Sequence, residues 1–127
     1  MGGFESFFRD NAEPKRTAFV YVSDRFKDDE GKVLEWEIHS ISAAFDRSLR
    51  GIEPKDSESY VGRLCAACVS FPNLNDTALQ ASYGVMGADR LLREMLLPGE
   101  YALLIKKVKE INGFDKHFDE LVKEAKN

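Results

Sequence analysis

Two cysteines, three residues apart in Cys65-Ala66-Ala67-Cys68, have the types and spacing of a redox dithiol. That chemistry requires a lowered thiol pKa, which is usually produced at the N-terminus of a helix that follows a strand. Both cysteines instead fall in the middle of a predicted helix, on its apolar stripe, where desolvation raises a thiol pKa. We therefore expect Cys65 and Cys68 to be packed as small hydrophobic residues.

Metal binding is the second chemistry that the residue types allow. A zinc site takes four ligands, and the sequence has two cysteines and two histidines, His39 and His117. Their spacing is not that of a zinc finger, so we expect no metal ion. Glu35 and Glu37 alternate along a predicted strand and are expected to be solvated charges. The sequence thus predicts no catalytic residue and no cofactor, and a protein that is not an enzyme.

The composition of the chain limits its partners. Its 127 residues suggest one domain, spanning residues 1–127, with 43% hydrophobic and 31% charged residues. The formal net charge of −4 gives no electrostatic reason to bind nucleic acid or anionic lipid. No apolar run approaches the ~18 residues of a membrane span, and no secretory signal is recognisable. We therefore expect a protein of the cytoplasm that binds neither nucleic acid nor membranes.

The elements that position these residues are predicted to begin with a β-hairpin. Residues 17–22 are rich in β-branched and aromatic side chains, and residues 32–39 alternate Leu34, Trp36 and Ile38 with polar positions. A polar turn that contains a glycine separates the two segments. Because an isolated hairpin is barely stable in water, its apolar face must pack on helices or on another chain.

The rest of the chain has helical periodicity. Residues 14–41 form the hairpin region, and residues 42–127 form the helical region. Helices are predicted over residues 43–50, 58–71, 79–83, 88–97, 100–111 and 114–125. The predicted fold class is α+β, mostly α, with the N-terminal hairpin packed on a bundle of about five helices.

The C-terminal half is rich in apolar residues for a small domain. An apolar stripe that the core does not cover would form a groove for another chain. The alternative, in which all of these residues are core, stays open from composition alone. The residues that we expect at the partner surface are Leu91, Leu92, Met95, Leu96, Phe114, Phe118 and Leu121.

Long blocks of the sequence are similar to one protein family. They are residues 66–88, AACVSFPNLNDTALQASYGVMGA, residues 95–101, MLLPGEY, residues 108–115, VKEINGFD, and the hairpin segments Arg25-Phe26 and Glu35-Trp36-Glu37-Ile38. In these blocks the chain resembles the XkdN-like phage tail assembly chaperones, and the resemblance extends from about Phe4 to Asn127. The stretch 51–58 is shorter than in that family, a difference of the kind that surface loops tolerate.

The resemblance implies a bacteriophage or prophage protein that binds and solubilises the tape measure protein and assists polymerisation of the tail tube protein. It also implies absence from the mature virion and a location in the host bacterial cytoplasm. A homo-oligomer would suit a rod-shaped client that binds repeated copies. The alternative is a structural tail component that is retained in the particle.

Overall fold

The computed structural model describes residues 2–13 and 15–114 of the chain. An antiparallel sheet is formed by β1 (Thr17–Val20), β2 (Trp36–His39) and β3 (Val69–Phe71) in the order β1-β2-β3. In the first pair, Thr17 lies opposite His39 and Val20 opposite Trp36. The predicted hairpin is therefore confirmed.

The hairpin connection depends on one tight turn. The Asp28 carboxylate accepts hydrogen bonds from the backbone N–H groups of Glu30 and Lys32, both at 2.9 Å. Gly31 has a φ of 81°, a left-handed conformation that side chains disfavour. The predicted role of a glycine in this turn is thus confirmed, since Gly31 supplies the positive φ that the turn requires.

The third strand was not predicted. The apolar periodicity predicts a helix over residues 58–71, whereas the helix ends at Cys68 and residues 69–71 pair with β2. Two physical effects explain why the helix ends at Cys68 and a strand follows it. Pro72 disfavours helical backbone in Phe71, the residue before it, and the second edge of β2 offers unpaired backbone groups that Val69–Phe71 can satisfy.

Five α-helices lie within the described residues. They are α1 (Ala43–Arg50), α2 (Ser57–Cys68), α3 (Thr77–Ser82), α4 (Ala88–Met95) and α5 (Pro98–Ile111), and a short 3-10 helix (Gly3–Phe7) precedes the sheet. Side chains of Ser42, Asp56 and Asp76 cap the first three by accepting from the backbone N–H three residues later. The predicted fold class, α+β and mostly α, is confirmed. Of the predicted element 114–125, only Phe114 lies within the described residues.

The core lies between one face of the sheet and the helices. Helix α5 contacts both β1 and β2, while α2 contacts α1, α4 and α5. The largest fully buried side chains are Trp36, Ile38, Leu74, Leu91, Leu92, Leu104 and Val108, together with Cys65 and Cys68. Among the described residues, every helix is too short or too polar to traverse a lipid bilayer.

Candidate interaction surface

The two cysteines lie on α2 and are fully buried as free thiols. Burial raises the pKa of the Cys65 thiol to about 12. Burial also raises the pKa of Cys68, although the amide of Asn112 donates a hydrogen bond to its Sγ at 3.4 Å. Burial therefore disfavours the thiolate, which is the reactive form of a cysteine, at both positions. The prediction that both are packed as small hydrophobic residues is confirmed.

The other residues considered for chemistry do not come together in the part of the chain that the structure describes. No group of three or more His, Cys, Asp and Glu side chains within residues 2–13 and 15–114 is arranged to hold a metal ion. His39 ends β2, where its Nδ1 lies 3.0 Å from the backbone oxygen of Ser40. His117 lies outside the described residues.

The predicted partner residues on α4, and Leu96 directly after it, belong to the core. Leu91 and Leu92 are fully buried, and Met95 and Leu96 are 6% and 7% exposed, because α4 packs its apolar stripe against α2. The structure therefore corrects the placement of these four side chains on an exposed stripe: they belong to the core, and Met95 also lines the apolar groove described below. Phe114 is 51% exposed and its role as a partner contact stays a prediction. Phe118 and Leu121 lie outside the described residues.

A row of two aromatic rings and one carboxylate crosses the sheet on the face opposite the core. Glu37 of β2 lies directly between Phe19 of β1 and Phe71 of β3 in the strand register. Both rings are large, apolar and mostly in solvent, with Phe19 63% and Phe71 51% exposed. Exposed apolar area that clusters on one face is typical of contact surfaces, so the row is a candidate contact surface.

A second pair extends this row toward the hairpin loop. Tyr21 is 55% exposed, and its hydroxyl donates a hydrogen bond to Oε1 of Glu35 at 3.1 Å. The bond and the negative charge of Glu35 raise the pKa of Tyr21. We call the five residues Phe19, Tyr21, Glu35, Glu37 and Phe71 the outer sheet face. Its pattern is aromatic and acidic.

An apolar groove adjoins the outer sheet face and shares Phe71 with it. The groove is almost free of polar lining, and its walls also include residues of the hairpin loop, α3 and the turn after α3. The lining residues are Phe26, Leu34, Trp36, Phe71, Pro72, Leu79, Tyr83 and Met95. Because Phe71 belongs to both, the face and the groove meet at this residue and together offer apolar area to a partner.

Sequence reasoning identified only part of this surface. Strand alternation places Glu35, Glu37 and His39 on the face opposite Leu34, Trp36 and Ile38, as the structure confirms for Glu37 and Ile38. The neighbours of Glu37 are not evident from the sequence, because apolar periodicity places Phe71 in a helix. The signal that could have found them is Pro72, which favours an extended Phe71.

The chain is similar to known proteins both in sequence and in fold. Residues 4–126 match the family described as phage XkdN-like tail assembly chaperone protein. Two proteins of Bacillus subtilis (strain 168) are similar in sequence, the uncharacterized protein YqbN with 27% identity over 122 residues and the phage-like element PBSX protein XkdN with 26% over 123 residues. Each alignment covers 85% of this chain and 82% of the relative. The crystal structure of YqbN superposes with a TM-score of 0.82, covering 91% of this chain and 99% of that chain at 24% identity, which shows a shared fold.

Proposed function

The chain belongs to the family of phage XkdN-like tail assembly chaperone proteins, and from this membership we propose that it binds the tape measure protein of its phage. It keeps that long, apolar client soluble until tail tube protein polymerises around it. The observation that carries the proposal is the family match over residues 4–126, nearly the whole chain. The chaperone acts by binding in the host bacterial cytoplasm, without catalysis, and is absent from the mature virion.

The exposed apolar surface of the molecule supports a masking role. The outer sheet face and the adjoining groove expose aromatic rings that can cover apolar segments of a client. Each Å² of apolar area removed from water contributes about 25 cal/mol before the costs of ordering. A few such contacts per copy give modest affinity, and many copies along a long client give a soluble complex.

Modest affinity also suits the release that assembly requires. Tail tube subunits must displace the chaperone, and several weak contacts dissociate more readily than one tight contact. The net charge of −4 helps to keep complexes dispersed by mutual repulsion. A homo-oligomer along the client is compatible with this arrangement.

Co-expression with the tape measure protein of the same phage tests the proposal. We expect the tape measure protein to remain in the soluble fraction only when this chain is present, and to co-purify with it. If the client is equally soluble without the chain, the proposed function is wrong. Mass spectrometry of purified virions tests the rival assignment, since abundant peptides of this chain there would identify a retained structural component.

A further inference from the structure

The charges around the aromatic rings restrict which kind of partner can bind to the outer sheet face. The row Phe19–Glu37–Phe71 places one carboxylate between two exposed rings on neighbouring strands. Glu35 lies two residues before Glu37, just ahead of β2. Asp28 and Lys32 line a shallow depression that also borders Phe19 and Phe71. The carboxylates of Glu35 and Asp28 therefore lie near the row in addition to Glu37, with the Lys32 ammonium group as a neighbouring cation.

This pattern matches the two parts of a Lys or Arg side chain. The aliphatic stem of such a side chain packs on an aromatic ring, while its charged head extends toward a carboxylate. A cation over the face of a Phe ring is also attracted by the ring itself. A ring, a carboxylate and a second ring in one row therefore bind a cationic side chain better than a neutral or acidic one.

A second copy of this chain is a poor occupant for the same reason. In a two-fold contact the same patch of both copies meets, so the acidic outer sheet face of one copy would lie against the equally acidic face of the other. Like charges that face each other across an interface repel and suppress that pairing. The face is therefore better suited to a different polypeptide whose charge is opposite.

The layering of the fold indicates the shape of the occupant. Helices α2 and α5 cover the inner face of the sheet, whereas the outer sheet face has no helix on it within the described residues. A helix packed on a sheet face is one of the stable layer arrangements of proteins, and the groove beside Phe71 can take apolar side chains from such a helix. We propose that the outer sheet face binds an amphipathic helix whose apolar stripe is flanked by Lys or Arg, with Glu37 receiving one of these cations between Phe19 and Phe71. The inference deepens the proposed function and rests on it for the identity of the client that supplies the helix.

Two synthetic helical peptides test the chemistry without the natural client. They share one leucine stripe, which is flanked by lysines in the first and by glutamates in the second, and their affinities are measured by fluorescence anisotropy. We expect the full chain to bind the lysine peptide at least about tenfold more tightly than the glutamate peptide. Equal affinities for the two peptides overturn the proposal.

Four variants test whether the lysine peptide binds to the outer sheet face. Glu37→Lys should lose the preference for the lysine peptide, while Glu53→Lys, on the loop after α1, changes the net charge equally and should keep it. Phe19→Ser combined with Phe71→Ser should weaken lysine-peptide binding about tenfold or more, and Phe45→Ser, which removes an exposed ring on α1, should not. Circular dichroism confirms that each variant is folded. An unchanged preference in Glu37→Lys, or a wild-type dimer that the Phe19/Phe71 changes dissociate, overturns the proposal.

The same variants separate this inference from the proposed function. In co-expression with the tape measure protein, Glu37→Lys and the double serine variant should lose client solubility, whereas Glu53→Lys and Phe45→Ser should retain it. If all four variants keep the client soluble, the outer sheet face is not the binding surface and the proposed function stands. If the peptide results are as expected but wild-type chain never solubilises the client, the proposed function fails and the chemistry of the face stands.

Discussion

Arg25 and Glu100, 75 residues apart in the chain, form a bidentate ion pair that joins the hairpin loop to the start of α5. Nη2 of Arg25 lies 2.6 Å from one carboxylate oxygen and Nε lies 3.2 Å from the other. The same guanidinium donates to the backbone oxygen of Met95 at 2.7 Å. Glu100 in turn accepts from the backbone N–H of Leu97 at 2.8 Å, which caps the helix. The Glu100 carboxylate therefore has two roles: it holds the hairpin loop through Arg25, and it caps the first turn of α5.

The first prediction concerns the stability that Glu100 provides. Its pKa is lowered to about 2 because the Arg25 guanidinium donates to it, so the carboxylate form is favoured in the folded protein. Glu100→Gln should reduce the free energy of unfolding at pH 7 by about 1 kcal/mol, as expected for a weakened cap and pair. Urea unfolding measures the difference, with Glu110→Gln, an exposed Glu near the end of α5, as control.

The pH dependence of this difference has a definite sign. A carboxylate whose pKa is lowered by folding adds stability above its unfolded pKa, near 4.5, and loses that stability as pH falls toward 2. The gap between wild type and Glu100→Gln should therefore be constant at neutral pH and narrow steadily below about pH 4.5. A gap that does not change between pH 6 and pH 3 would contradict the assignment.

The second prediction concerns thiol reactivity. With a pKa of about 12 in place of 9.0, the thiolate fraction of Cys65 at pH 7 is smaller by roughly a thousandfold. The native protein should therefore react very slowly with iodoacetamide at pH 7, at both Cys65 and Cys68. The same protein unfolded in guanidinium chloride is the control and should react at the rate of an ordinary thiol. Rapid alkylation of the native protein would show that α2 opens or that the thiols are activated.

Elements whose signals are local were predictable from the sequence. The predicted helix 43–50 has the observed bounds, and its start is marked by the side chain of Ser42, which caps the first turn. The burial of both cysteines was also predictable from a local signal, since both lie on one apolar helical stripe. Hairpin pairing was predictable because the two strands are close in sequence and one of them alternates clearly.

Elements that depend on distant partners were not predictable in this way. Strand β3 is three residues long and exists because β2 has an edge to pair with, more than 30 residues earlier in the chain. The outer sheet face needs β3 to bring Phe71 beside Glu37, so it could not be recognised before the register was known. Apolar periodicity located the stripe of Leu91 and Leu92 on α4 but could not tell whether another layer covers it.

The third prediction concerns Asn112, whose side chain joins three segments at the end of α5. Its Oδ1 accepts from the backbone N–H of Ile41 at 2.9 Å, and its Nδ2 donates to the backbone oxygen of Val108 at 2.9 Å. Asn112→Ala leaves a half-buried N–H group without its acceptor, which should cost about 1–3 kcal/mol in the free energy of unfolding. Asn75→Ala, at an exposed loop position, is the matched control and should change stability by less than about 0.5 kcal/mol. Equal effects of the two substitutions would contradict the role of Asn112.

The last prediction concerns the close approach of α2 and α4 at Gly62. A Cβ at this position would lie 2.9 Å from Nη1 of Arg93 and 3.4 Å from Oη of Tyr101. Arg93 can yield, because the contact is the far end of a flexible and partly exposed side chain. The gain in helix propensity from Gly62→Ala, up to about 1 kcal/mol, should therefore offset the displacement and leave stability nearly unchanged.

A larger side chain at Gly62 cannot be accommodated by movement of Arg93 alone. Gly62→Leu must move Tyr101 and the backbone of α4 as well, which should cost about 2 kcal/mol or more as overpacking between two helices. Gly99→Leu is the control, since nothing lies within 4 Å of a Cβ built there on α5. Denaturant midpoints should therefore fall clearly for Gly62→Leu, little for Gly62→Ala and little for Gly99→Leu. If Gly62→Leu is as stable as wild type, α2 and α4 are not in close contact at this point, and the burial of Leu91 and Leu92 beneath that contact would need another explanation.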